Sequence, residues 1–159
     1  MRVPKLCFLA FVAVLSLTLN SCDKSVIKEE NQTVDGNQWS YDNPKLFAVT
    51  ITDTTQHCNI YINIRHSFQF EWRNMWVNIE TTFPDSTVYS KRVNLPMSEP
   101  DGVWYGKCLG DNCDLQVPIQ QNAVFPQMGT YTFKIKQDMR ANPIGYVKSV
   151  GMRIEKVQQ

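Results

Sequence analysis

Residues 59–65 of this chain read Asn-Ile-Tyr-Ile-Asn-Ile-Arg, the clearest indication of its fold class. Isoleucine stands at every second position, with polar or amphipathic side chains between. A period of two matches a β-strand, in which successive side chains point to opposite faces of a sheet. The stretch therefore predicts a strand with one face in a core and the other against solvent, as in an antiparallel sheet.

The same alternation continues on both sides of this strand. It recurs in six more segments: 45–52, 75–82, 88–95, 115–119, 130–137 and 146–157. Aspartate, proline, asparagine and glycine separate the segments, and no window carries an apolar stripe with the helical period. About seven to eight short strands spaced in this way predict an all-β domain, an antiparallel β-sandwich of jelly-roll or Ig-like form. A closed barrel is the alternative.

The first residues form an export signal. Two basic residues precede an almost wholly apolar run at 6–19. At about 1.5 Å per helical residue this run reaches roughly 21 Å, short of the roughly 30 Å hydrocarbon core of a bilayer, so a signal peptide is favoured over a transmembrane anchor. Residues 19–22 (Leu-Asn-Ser-Cys) resemble the bacterial lipobox. This predicts cleavage between Ser21 and Cys22 and acylation of the Cys22 thiol.

These features divide the chain into three parts. We expect a signal peptide at 1–21, a lipidated N-terminus with a flexible tether at 22–38, and a β-sandwich domain at 39–159. The tether is predicted from its polar composition. Two or three acyl chains on Cys22 hold a protein on a membrane without spanning it.

Loss of the two basic signal residues leaves the net charge near zero, so nothing favours a nucleic-acid partner.

Three cysteines remain after export and acylation. Cys108 and Cys113 flank a turn-forming tetrapeptide, which can bring them to bridging distance, and an exported protein meets an oxidising environment. The sequence leaves a disulfide and a reduced pair equally open. A metal site built from these two residues with Cys58, His57 and His66 lacks the close ligand spacing of structural zinc sites, so no metal and no cofactor are expected.

Catalytic patterns are not apparent. No G-x-S-x-G motif occurs, and the two histidines stand near opposite ends of one predicted strand, about 30 Å apart. The acidic residues Asp101, Asp111 and Asp114 lie among glycines, a setting typical of hairpin turns, and Asp111 and Asp114 lack the spacing of a calcium loop. We therefore expect a protein that is not an enzyme.

Aromatic residues are the candidate binding groups. Phe68, Phe70 and Trp72 alternate, so an extended backbone would place them on one face, and Trp104 and Tyr105 follow later in the chain. Such side chains form either the core of a sandwich or an exposed platform for a sugar or a partner protein. The pattern alone does not separate these interpretations.

Two turn segments match a modification motif. Residues 53–55 (Asp-Thr-Thr) and 85–87 (Asp-Ser-Thr) resemble the D-[S/T]-x acceptor used for O-glycosylation in the phylum of the gliding bacteria. Thr54 and Ser86 would be the acceptors. Capping of a turn by aspartate and a hydroxyl residue explains the same pattern without a glycan.

Several blocks of sequence in a fixed order carry a family resemblance. They are Trp39, Phe47, 51–54, 59–65, 72–77, 101–106, 125–133, 137–140 and 150–154. With the lipoprotein signal, they are similar to the gliding-motility lipoprotein family GldH. The resemblance implies a non-catalytic accessory or assembly component of the gliding and adhesin-transport machinery, which is linked to secretion, with other envelope lipoproteins as partners. No site residues follow from it.

The lipid anchor also bears on where the protein lies in the cell. The protein is expected to be lipid-anchored in the cell envelope, with the outer membrane favoured and the leaflet undecided. Asp23, directly after the acylated cysteine, would favour the inner membrane under a rule known for some enteric bacteria. The alternative function is a surface or periplasmic carbohydrate-binding lipoprotein that uses the five aromatic residues named above.

Overall fold

The computed structural model describes residues 25–157, and the structural elements below are those of this part of the chain. Eleven strands follow in order: β1 (Val26–Thr33), β2 (Gln38–Trp39), β3 (Lys45–Ile51), β4 (His57–Ser67), β5 (Asn74–Thr82), β6 (Val88–Pro96), β7 (Lys107–Leu109), β8 (Asn112–Val124), β9 (Gly129–Gln137), β10 (Ile144–Gly145) and β11 (Val147–Lys156). A single turn of 3-10 helix at Asp35–Asn37 lies between β1 and β2. No helix in this part of the chain is long and apolar enough to cross a membrane.

The strands form two stacked antiparallel sheets. One has the order β1-β11-β4-β8-β7 and the other the order β3-β9-β5-β6, while β10 and β2 pair separately. This confirms the predicted all-β antiparallel sandwich. The strand count exceeds the predicted seven to eight because β2, β7 and β10 have only two or three residues, too few to show an alternation.

Alternating side chains build the core between the sheets. In β3, buried and exposed residues alternate without interruption, and β4 buries Ile60, Ile62 and Ile64. The sheet that contains β3 and faces β4 also contributes aromatic and aliphatic side chains from β9 and β5, among them Tyr131 and Met75. Burial of these apolar side chains is the main favourable term in folding.

The first strand corrects the predicted tether. Residues 26–33, which the sequence assigns to a flexible segment, pair with β11 along the edge of the five-stranded sheet. Their polarity reflects an exposed sheet edge, where Arg153 binds Glu29 (2.6 Å) and Lys28 binds Glu30 (2.7 Å). Backbone hydrogen bonds do not require apolar side chains, so the polar composition of this segment does not reveal that it forms a strand. Ser21 and Cys22 lie outside the described residues.

The sandwich has two ends that carry different loops. At the proximal end β1 begins, and the connections at 52–56, 83–87 and 125–128 lie beside it. At the distal end β4 ends, and the longer segments 34–44, 68–73, 97–106 and 138–143 gather there. Chain entry and the longest loops therefore lie at opposite ends of the domain.

Candidate interaction surface

A cluster of aromatic rings surrounds His66 at the distal end. The His66 side chain is fully buried, and its ring centroid lies 4.7 Å from that of Trp104 and 5.4 Å from that of Phe70. Trp72 packs edge-on against Phe70, with 5.4 Å between centroids. These contacts bring together residues from β4, from the segment after it and from the 97–106 segment.

His66 is held in a neutral form. Its Nδ1–H donates to the carbonyl oxygen of Ser67 (2.9 Å), and its Nε2 has no hydrogen-bond partner. Burial lowers the pKa of His66, because the charged imidazolium loses its hydration, although the Ser67 carbonyl and the Asp114 carboxylate act in the opposite direction. Burial therefore favours the neutral ring, which packs against Trp104.

A disulfide-linked hairpin flanks this cluster. Cys108 of β7 is bonded to Cys113 of β8, across the turn at Gly110 and Asp111. The hairpin is also fixed to the body of the sandwich, since Asp111 accepts a hydrogen bond from Ser67 (3.0 Å) and pairs with Lys148 (3.2 Å). Its tip is thus held against the end of β4.

The segment 97–106 folds back on itself to present Trp104. Tyr105 N–H donates to the carbonyl of Met97 (2.9 Å), and Glu99 N–H donates to the carbonyl of Val103 (2.8 Å). At Gly106 φ is +87°, and a Cβ there would lie 2.2 Å from the backbone oxygen of Asp114. Only glycine allows the segment to approach β8 so closely.

Large apolar side chains are exposed at this end, and we call three of them, Phe68, Val103 and Leu109, the distal patch. They are exposed by 47%, 61% and 87%, respectively. A cavity of about 440 Å³ is lined by two of these residues, Phe68 and Val103, together with Trp104. Exposed apolar side chains beside a cavity are typical of interaction sites.

The five aromatic residues singled out in the sequence do not share one face. Phe70 is buried, Trp72, Trp104 and Tyr105 are half-buried, and Phe68 is exposed. The common face expected for Phe68, Phe70 and Trp72 in an extended segment is not formed, because the chain turns after β4, where Phe70 N–H donates to the Ser67 carbonyl (3.0 Å). The cluster is therefore part core and part surface.

The sequence patterns do not identify Val103 and Leu109 as surface residues of this site. Each stands beside a glycine in a turn, at positions where apolar side chains cannot reach a core. An apolar residue inside a strong turn signal is the pattern that would have identified them.

The proximal turns hold the two motif hydroxyls. Thr54 is half-buried and Ser86 is exposed. Asp53 accepts hydrogen bonds from the backbone N–H and the hydroxyl of Thr55 (2.8 and 2.7 Å), and Asp85 accepts one from the N–H of Thr87 (2.9 Å). The aspartates thus cap their turns, and modification of Thr54 or Ser86 stays a prediction.

The acidic and thiol groups considered in the sequence have separate partners or surroundings in the described part of the chain. Asp114 forms a bidentate ion pair with Arg65 (2.6 and 3.0 Å), which lowers the pKa of that carboxyl, while Asp111 binds Ser67 and Lys148. Burial raises the pKa of the free Cys58 thiol. Residues 25–157 contain no group of three or more histidine, cysteine or acidic side chains placed to hold a metal ion.

Fold and surface together define a class of protein. A β-sandwich with a disulfide between two neighbouring strands is typical of proteins that lie outside the cytoplasm, where disulfides form and persist. Within that class, the chain belongs to the GldH lipoprotein family, whose sequence profile matches residues 26–154.

Two relatives extend this assignment. The chain is 29% identical to a gliding motility lipoprotein GldH homolog from Christiangramia forsetii, over 94% of this chain and 96% of the relative. It is 25% identical to the gliding motility lipoprotein GldH from Flavobacterium johnsoniae, over 98% of each chain. The protein is thus a lipid-anchored lipoprotein of the cell envelope from a gliding-motility family, as the sequence blocks predicted.

Proposed function

We propose that this protein is a non-catalytic assembly component of the gliding and adhesin-transport machinery, which is linked to secretion. Acyl chains on Cys22 hold it on the membrane, with the outer membrane favoured, and the distal patch docks other envelope lipoproteins. The observation that carries this proposal is the position of the distal patch, at the end of the sandwich opposite the start of β1.

The patch is suited to a protein partner because it is rigid. Disulfide bonding and the Asp111–Lys148 pair hold Leu109 on one side, and the hydrogen bonds within 97–106 hold Val103 on the other. Pre-ordered apolar side chains lose little conformational entropy on binding, so more of the burial energy contributes to affinity. Exposed apolar anchors of this kind commonly dominate protein interfaces.

Co-purification tests the docking surface. A tagged Val103→Ser/Leu109→Ser double variant should lose envelope lipoproteins that the tagged wild type retains after cross-linking in intact cells. Leu46→Ser is the matched control, because Leu46 is also an exposed apolar side chain but lies on β3. Equal recovery of partners with all three proteins would exclude the distal patch as the docking site.

Deletion of the gene tests the cellular role. We expect the deletion strain to lose surface spreading, or transport of surface adhesins where the organism has them, and the wild-type gene to restore it. Normal transport and normal envelope complexes in the deletion strain would contradict an assembly role.

A carbohydrate ligand is the second candidate function. The cavity of about 440 Å³ between Phe68 and Trp104 has the size of a small-molecule site, and both rings border it. Binding to a glycan array that is lost in Phe68→Ala would support this function. An array without hits would remove it.

A further inference from the structure

The chain enters the sandwich only a short distance after the acylation site. Strand β1 begins at Val26, and the Lys156 N–H already donates to the Ser25 carbonyl (2.8 Å), so the chain is fixed from Ser25 onward. Four residues lead from Cys22 to Val26, and they span at most about 14 Å when fully extended. The tether of about 16 residues predicted from the sequence would have allowed roughly 55 Å.

The short link fixes which end of the domain faces the membrane. Since β1 begins at the proximal end, that end lies within about 14 Å of the anchored cysteine. The lateral distance across the sheet is similar, since β8 lies three strand spacings from β1, about 14 Å in total. The loops at the proximal end are therefore within reach of the lipid headgroups.

Four exposed apolar side chains lie at this end, and we call Val88, Tyr89, Val124 and Met128 the proximal patch. They are between 47% and 67% exposed. Tyr89 and Val124 line one cavity of about 530 Å³, which opens between the ends of β6 and β8. The loops that carry the patch are joined, since Gln127 donates to Asp85 (3.0 Å).

We propose that the proximal patch rests in the interfacial layer of the phospholipid membrane that holds the acylated Cys22. This proposal rests on the lipid anchor of the proposed function. Aromatic and aliphatic side chains enter that layer by about 5–10 Å in interfacial proteins, and their burial adds to the affinity of the acyl chains. The sandwich then stands upright, and the distal patch points away from the membrane.

Charge at the proximal end favours apolar contact over attraction to anionic lipids. The charged side chains near the patch are of both signs: Lys91, Lys156, Asp53, Asp85 and Glu155. Asp53 and Asp85 accept hydrogen bonds from their own turns, so these carboxylates are held close to the protein surface. No basic cluster forms at this end of the described chain, and the apolar side chains supply the membrane contact.

Depth-dependent quenching tests the orientation. Acylated full-length protein with Tyr89→Cys, Val124→Cys or Val103→Cys is labelled with an environment-sensitive fluorophore. It is then reconstituted into phosphatidylethanolamine–phosphatidylglycerol vesicles that contain nitroxide-labelled lipid. Labelling is selective because Cys58 is buried and the two remaining described cysteines are joined in a disulfide. The labels at 89 and 124 should lose fluorescence to the lipid quencher, whereas the label at 103 in the distal patch should not.

A serine variant separates the patch from the anchor. Val88→Ser/Val124→Ser/Met128→Ser should keep its acyl mass and float with vesicles, yet a label at 89 should lose much of its quenching. In the single-cysteine proteins without the serine changes, vesicle flotation with unquenched labels at both 89 and 124 would overturn the proposed orientation and leave the lipid anchor intact. An intact mass without acyl chains would overturn the lipid anchor as well. If the label at position 89 becomes shielded from solvent only when envelope proteins are added, the patch binds a protein partner instead of lipid.

Discussion

The side chain of Asn31 occupies the space directly above Gly151. A Cβ at Gly151 would lie 1.8 Å from the Asn31 Oδ1 and 2.7 Å from the backbone oxygen of Glu30. Asn31 also accepts a hydrogen bond from Asn63 (3.2 Å), which in turn accepts one from Gln116 (3.0 Å). A row of hydrogen-bonded amide side chains thus extends from β1 over β11 to β4 and β8. Because Gly151 on β11 has no side chain, Asn31 can reach across it to Asn63.

Gly151→Ala should destabilise the domain. The added methyl group has to displace Asn31 and the backbone of β1, and overpacking of this kind costs about 1–3 kcal/mol. Urea unfolding of wild type, Gly151→Ala, Asn31→Ala and the double variant measures it. Because Asn31→Ala removes the nearer of the two clashing groups, the double variant should lose less stability than the sum of the single changes. Additive losses would show that Asn31 does not fill this space.

Removal of the disulfide should weaken the distal hairpin. Cys108 and Cys113 are five positions apart, so the bond closes a small loop, for which chain entropy predicts a contribution of about 2 kcal/mol. We expect Cys108→Ser/Cys113→Ser to lower the free energy of unfolding by that amount. A reducing agent should have the same effect on the wild type and none on the variant; sensitivity of the variant to the reductant would contradict this assignment.

Stability should fall as the pH drops below about 6.5. Burial lowers the pKa of His66 in the folded state, whereas the unfolded state keeps the ordinary value near 6.5, so the unfolded state binds more protons in this range. The contribution of neutral His66 is complete above pH 6.5 and is lost as the pH falls toward the lower folded-state pKa. Carboxylates with lowered pKa, such as Asp114, lose their contribution only at more acidic pH, below about 4.

His66→Phe separates this effect from the rest of the pH dependence. The variant keeps an aromatic ring against Trp104 but has no proton to bind, so its stability should vary less than that of the wild type between pH 5 and 6.5. Urea midpoints across this range give the comparison. An unchanged slope in the variant would show that another group is responsible.

The strands of the core could be predicted from sequence because burial imposes a period of two. Residues 59–65 show it without interruption, and in 45–51 it is carried by Phe47, Val49 and Ile51; both segments lie in strands of seven or more residues. Strand β1 could not be predicted, since its residues bind one another and solvent through polar groups while its backbone pairs with β11. The hydrogen bonds of an edge strand depend on its neighbour, which a local pattern does not contain.

The candidate surface was only partly predictable for a related reason. The importance of Phe68 and Trp104 was visible from their bulk, but whether a ring lies in the core or on the surface depends on the turn that follows β4. The proximal patch joins side chains from β6, β8 and the loop at 125–128, and only the sandwich brings these distant segments to one end.

Acylation of Cys22 is the prediction on which location depends. Metabolic labelling with palmitate should label the wild type and a Cys7→Ala variant, because Cys7 belongs to the predicted signal peptide, but should not label Cys22→Ala. The sandwich should fold in all three, since no described element of the fold begins before Val26. Without acyl chains the domain retains only the weak contact of its proximal patch, so after removal of the signal peptide it should leave the membrane fraction. Label retained by Cys22→Ala would place the anchor elsewhere in the chain and remove the geometric reason for an upright domain.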